Sequence, residues 1–340
     1  MEDRIKNDLI KEISEIYPLS SVQIGDRLGG LSALNYILYS GQDKLVLKGY
    51  RSADIKTIEK IENLAIFLNL NGLPARVPLM TIDKQYHFET KQGQLFAIYP
   101  YIEGKVLHEP NLNEKALNAA GQLLAKFHLL SLSDLTHVNL SHRVNLSLYD
   151  AQHDTQMLLA TIKQHPTEDN AINQVIRHSV KTKLKLIEKL LSDNEFEYYL
   201  NYKHLVHGDF HNENLLFNDQ NEVIGLLDFE EVHLGHRMQD LLHFIHLACC
   251  NNGYDAPRIA KALLFLKSYS SIFPFTLHDL QFGISFSLYK IARSFFLEKE
   301  LYHSRDLFFA GLIERDLKKL QYFESNSRQF IEVLSRAVSR

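Results

Sequence analysis

The chain has 340 residues, 45% hydrophobic and 23% charged, enough apolar material for one large domain or two ordinary ones and too much for a disordered or disulfide-rich scaffold. With 37 Lys and Arg against 41 Asp and Glu, the formal net charge of -4 implies no general affinity for nucleic-acid phosphates. The opening Met1-Glu2-Asp3-Arg4-Ile5-Lys6 carries charge where a signal peptide needs an apolar core, and no apolar run approaches the ~20 residues of a membrane span. Cys249 and Cys250 are adjacent and poorly placed to bridge each other, which suits a reducing compartment. A soluble cytoplasmic protein with no membrane contact is expected.

A helix-like opening leads to Leu28-Gly29-Gly30-Leu31-Ser32. Next come two β-rich runs, Asn35–Tyr39 and Leu45–Tyr50, around the turn Ser40-Gly41-Gln42-Asp43, which read as a hairpin. From Ile55 to Leu70, Ile58, Ile61, Ala65 and Leu68 recur at helical spacing, and Gly72-Leu73-Pro74 stops that helix. Leu95–Tyr99 reads as a strand ended by Pro100. Beyond Gly104 the pattern turns helical: Glu114–Leu130, then two helices between Tyr149 and Leu200 broken near Pro166. Strands are expected to return around His207 and from Val223 to Phe229, with helix again after His236. A boundary near Glu103-Gly104 divides a small α/β lobe, residues 1–103, from a larger helical one, residues 104–340.

The chemistry concentrates in Leu205-Val206-His207-Gly208-Asp209-Phe210-His211-Asn212-Glu213-Asn214-Leu215-Leu216-Phe217, followed by Val223–Leu227 and Asp228-Phe229-Glu230. Apolar runs deliver Asp209, Asn214 and Asp228 to the ends of short paired strands. Phosphoryl transfer from a nucleotide needs this set: one carboxylate to orient or deprotonate a hydroxyl, and an amide with a second carboxylate to hold Mg²⁺, which prefers few, hard oxygen ligands. Asp209 and Asn214 keep the five-residue step between a kinase catalytic Asp and its Asn, and Asp228-Phe229 stands where the metal-binding Asp-Phe-Gly would follow.

His207-Gly208-Asp209-x-His211-x-x-Asn214 with Asp228-Phe229-Glu230 resembles the aminoglycoside phosphotransferase and choline kinase superfamily, small-molecule kinases with a protein-kinase-like fold. Val46-Leu47-Lys48 resembles its strand lysine, Tyr99-Pro100-Tyr101-Ile102-Glu103-Gly104 its hinge, and Leu124-Ala125-Lys126-Phe127-His128 the first helix of its large lobe. The resemblance implies an α+β two-lobe fold, Asp209 as catalytic base, and Asn214 with Asp228 as Mg²⁺ ligands. It further implies Lys48 on the α/β-phosphates of ATP or GTP, with the base against Tyr99, Tyr101 and Ile102, and a small-molecule hydroxyl as acceptor. The acidic partner of Lys48 lies on the next helix, where Glu62 turns further toward the apolar face than Glu59.

The chain also departs from the kinase pattern. No G-x-G-x-x-G precedes Lys48, so Gly29-Gly30, with Ser32 beside them, is the only phosphate-covering turn on offer; Glu230 replaces the Gly of Asp-Phe-Gly; and no Ala-Pro-Glu follows, which favours a small acceptor over a protein. Two alternatives stand beside the kinase reading: a kinase-like nucleotide-binding protein without catalysis, and a metal-dependent phosphohydrolase built on His207, Asp209 and His211. The second requires another cluster, for which His233, His236, His243 and His246 are the contenders. His207 is expected to brace the loop and His211 to line the site. Asp240 matches a position that ties the catalytic region to the helical lobe. The stripe Phe282, Phe286, Tyr289, Arg293 and Phe296 reads as core before it reads as a cation cage.

Overall fold

A computed structural model describes residues 3–28, 33–50, 54–130, 140, 147–164, 170–192 and 204–337. Gly29, Gly30, Ser32 and the expected break at Pro166 lie outside these. The chain forms two compact units: residues 1–140 with 212–232, and residues 141–211 with 233–340.

The first unit is built on an antiparallel sheet in the order β1-β2-β3-β5-β4: Val22–Leu28, Ala33–Ser40, Asp43–Tyr50, Leu95–Pro100 and His87–Glu89. The hairpin of β2 and β3 turns where the Gly/Asp turn was expected, with Ser40 opposite Asp43 and Asn35 opposite Lys48. Period-2 alternation sorts β3 between two layers. Leu45 and Leu47 pack with Leu9, Ile13 and Tyr17 of α1 (Asp3–Ile16), whereas Val46 and Tyr50 pack with Ile58 of α2 (Ile55–Leu70), together with Ala97 and Tyr99 of β5. Lys48 therefore faces the α2 side. Asp54 caps α2, its carboxylate accepting the Thr57 N–H at 2.7 Å. Gly49 leaves room for β5, because a Cβ there would stand 2.6 Å from a Phe96 ring carbon.

The same unit holds α3 (Glu114–His128) and the hairpin of β7 (Leu215–Phe217) and β8 (Val223–Leu226). The strand expected to reach Phe229 ends at Leu226, since Asp228 takes φ +66°, a left-handed conformation that no strand can continue.

The second unit contains α4 (Leu148–Gln164), α5 (Asn170–Ser192), β6 (His204–Val206), β9 (His233–Gly235) and α6 (Met238–Phe244). The chain continues through one π-turn into α7 (Ala256–Ser270), α8 (Leu277–Arg293), α9 (Phe296–Ser304) and α10 (Leu307–Leu334). β6 pairs antiparallel with β9. Phe282, Phe286 and Tyr289 are core, Arg293 pairs with Asp154 at 2.9 Å, and Phe296 is exposed on α9, so the stripe forms no cage. Lys183 and Glu298, both buried, form an ion pair at 2.7 Å, and Ser179 donates to the same carboxylate oxygen.

Candidate active site

The lysine half lies in the first unit. Lys48, 8% exposed in the middle of β3, carries its amine to the chain segment that follows β8. Its Nζ stands 3.5 Å from Asp228 Oδ1 and bonds Glu230 Oε1 more closely. The second Glu230 oxygen is buried without a hydrogen-bond partner among the described residues. The expected Lys48–Glu62 pair is replaced. Glu62 turns inward as the helical wheel requires, but its carboxylate is held by His87 Nδ1 at 3.0 and 3.2 Å. Burial pushes the Glu62 pKa up, and the bond to Glu62 raises that of His87. The β4 strand that supplies His87 has three residues, too few to show periodicity, so this partner was invisible in the sequence.

The hinge residues occupy several surroundings. Tyr99 is in the core, its hydroxyl 2.8 Å from that of Tyr50 and its ring under the Arg76 guanidinium at 4.7 Å; burial raises the pKa of both phenols. The Tyr101 N–H donates to the Lys44 carbonyl at 3.3 Å, and the Lys44 amine lies 3.7 Å above the Tyr101 ring. Ile102 is half-buried, and its carbonyl accepts the Gly104 N–H at 2.9 Å.

Asn214 and Asp228 are joined through the base of the β7–β8 hairpin. Leu215 pairs with Leu226, and the Leu227 N–H donates to the Asn214 carbonyl at 3.0 Å. The two potential metal ligands, fourteen positions apart, are thus fixed next to one another by the backbone. They offer an amide and a carboxylate oxygen, the hard donors Mg²⁺ takes while leaving its other positions to water and phosphate, so the residues present fit that ion. Among the described residues, no group of three His, Cys, Asp or Glu side chains is placed to hold a metal ion.

The aspartate half lies in the second unit, on the loop that follows β6. Two consecutive N–H groups, of His207 and Gly208, donate to the fully buried Asp240 carboxylate at 2.7 and 2.8 Å. Gly208, at φ +84°, supplies the left-handed turn that presents Asp209. The Asp209 N–H points at His207 Nδ1, 3.4 Å away, and the His207 ring packs edge-on against Phe210. Asp209 Oδ1 lies 3.0 Å from His243 Nε2 on α6, and Oδ2 lies 3.4 Å from His211 Nε2. Burial alone would raise the Asp209 pKa, but the bonds from His211 and His243 outweigh it and hold the carboxyl well below the usual carboxylate range. The chemistry available is that of an ionised, oriented carboxylate in the second unit and, within the first, a lysine–carboxylate–amide group suited to phosphate.

Sequence reasoning missed two members of this arrangement. Glu230 stood out only as the residue replacing a glycine. His243 was grouped with the other histidines as a possible metal ligand, although its place three residues after Asp240 puts both on one helix face.

Strand-borne lysine, looped aspartate and hairpin-joined amide and carboxylate are the kinds of group that phosphoryl transfer calls for. A model of the phosphotransferase enzyme family matches residues 26–270, well over half of the chain, and the chain belongs to that family. It is similar to the spectinomycin phosphotransferase APH(9)-Ia, solved with ADP and spectinomycin, at 18% identity and TM-score 0.62 over 97% of this chain and 98% of that one. The amicoumacin kinase hAmiN, solved with AMP-PNP, Ca²⁺ and Ami, is similar at 14% identity and TM-score 0.64, over 94% and 96%. The macrolide 2'-phosphotransferase MphH of Brachybacterium faecium follows at 14% and 0.54, over 92% and 98%. These likenesses establish the fold. No curated protein sequence matches the chain significantly.

Proposed function

We propose that the protein is a Mg²⁺-dependent kinase that transfers the γ-phosphate of ATP or GTP to a hydroxyl of a small molecule of aminoglycoside, amino-alcohol or sugar type. Residues 1–103 would form the nucleotide lobe and residues 104–340 the catalytic and acceptor lobe of a cytoplasmic protein acting on neither nucleic acid nor membrane. The observation that carries the reading is the backbone bond from Leu227 to Asn214, which sets Asn214 beside Asp228 while Lys48 reaches the same carboxylate. Asn214 and Asp228 would hold Mg²⁺, which when bound neutralises charge on the phosphates. Lys48 would exchange its carboxylate partners for the α/β-phosphates, and the backbone at Tyr99, Tyr101 and Ile102 would meet the base. Asp209 would accept the proton of the acceptor hydroxyl and aim its oxygen at phosphorus. Alignment and charge neutralisation then supply most of the acceleration, as phosphoryl transfer leaves a protein little covalent work.

The test is nucleoside diphosphate release from Mg-ATP and Mg-GTP over a panel of aminoglycosides, amino alcohols and sugars, with a thermal shift on the same samples. Acceptor-dependent release identifies the kinase and its substrate class together. Nucleotide-induced stabilisation with no release under any acceptor would favour a binding protein without catalysis, and absence of both would remove the reading.

A further inference from the structure

The phosphotransfer proposed above uses the Asp209 carboxylate and makes no use of His243. Asp240 and His243 stand three residues apart on α6, so one helix face meets the loop twice. Asp240 fixes the backbone of His207 and Gly208, and His243 Nε2 stands 3.0 Å from Asp209 Oδ1. A carboxylate can only accept, so Nε2 carries the proton and donates it. The contact between Asp209 Oδ2 and His211 Nε2 is longer, at 3.4 Å. The His243 ring packs edge-on against His211 with centroids 5.9 Å apart.

We propose that His243 is a positioning residue for phosphoryl transfer: its Nε2–H anchors Asp209 Oδ1, so that Oδ2 is presented to the acceptor hydroxyl. The inference rests on the phosphotransferase reading. An aspartate has a broad terminal torsion, and fixing one oxygen fixes the direction of the other. Asp240 positions the loop backbone but leaves that torsion open; His243 closes it. Burial lowers the His243 pKa, Lys290 of α8 and His211 act in the same direction, and the bond to Asp209 opposes them. The anchor is an imidazole N–H whose contact with Oδ1 orients the carboxylate.

His243→Leu, His243→Gln and His243→Asn are compared with wild type and Asp209→Asn in Mg-ATP-dependent nucleoside diphosphate release, using the first acceptor turned over from the panel. A Gln amide reaches the position of Nε2, whereas an Asn amide of the same polarity falls short. The expected result is a loss of about 10²-fold in kcat for Leu and Asn with the acceptor KM within about 3-fold, and recovery to within about 10-fold of wild type for Gln. Should the Leu protein not fold, the contrast between Gln and Asn carries the test. Equal rates for Gln and Asn, a loss confined to KM, or wild-type kcat in the Leu protein overturns the role. Wild-type protein that transfers to no acceptor removes the phosphotransferase reading itself and the positioning role with it, an outcome distinct from an active wild type with an indifferent His243.

Discussion

The lysine cluster of the first unit and the aspartate loop of the second satisfy their polar groups differently. Around Lys48 the amine is paired with two carboxylates, Asp228 and Glu230, while the Glu62 carboxylate is bonded to the His87 ring. Around Asp209 the carboxylates meet N–H donors, Asp240 two backbone N–H groups and Asp209 two imidazole nitrogens. In the proposed function Lys48 would exchange these partners for a phosphate, so its Coulombic gain on binding would be a difference between two ion pairs. Asp209 in the same proposal would need no exchange, its carboxylate being already oriented by His243. Pre-fixed groups of that kind give an enzyme most of its advantage at the reacting atoms.

Substitutions can break this contrast in a graded order. Asp209→Asn removes the proposed base and leaves the loop in place, and acceptor-dependent turnover should fall by about 10²–10⁴-fold with little change in melting temperature. Lys48→Met acts on the other half and should lower kcat/KM for nucleotide by about 10²–10³-fold in the same steady-state assay. Asp240→Ala leaves the His207 and Gly208 N–H groups unpaired in a buried place, and denaturant unfolding should show a loss of about 3 kcal/mol.

The smallest effect expected is at Asp279, which closes the capping box of α8 with Thr276 and lies 3.2 Å from His236 Nε2. Burial would raise its pKa, but His236 and the Thr276 N–H and hydroxyl more than offset this and hold it well below the carboxylate range. A depressed folded-state pKa contributes stability above the unfolded value of about 3.9, and that contribution is lost as the pH falls below it. Asp279→Asn should thus cost about 1 kcal/mol at neutral pH and flatten the acid limb of a melting-temperature profile below about pH 4.

Much of this arrangement could be read from the residues. The β2–β3 hairpin, α2 from Ile55 to Leu70, and the two faces of β3 follow from periodicity and turn chemistry alone. Those signals are local and repeat over many residues. The three-residue strands β4 and β9 carry no repeat, and with β4 the His87 partner of Glu62 was hidden. The end of β8 is misplaced for a related reason: Leu227 and Phe229 continue an apolar run, which carries no local sign of the left-handed turn at Asp228. Lys48 could be placed on the α2 side, but which carboxylate it meets is decided 180 and 182 residues away, beyond the reach of a helical wheel. The Asp240–His243 spacing was visible throughout, and only the fold gave it a purpose.

The most direct test of the account separates the halves in one experiment, measuring Mg-ATP affinity and acceptor-dependent turnover for wild type, Lys48→Met and Asp209→Asn. The account predicts that Lys48→Met loses nucleotide affinity, while Asp209→Asn binds Mg-ATP as wild type does and fails to transfer its phosphate. An Asp209→Asn protein that still phosphorylates the acceptor at the wild-type rate would contradict it.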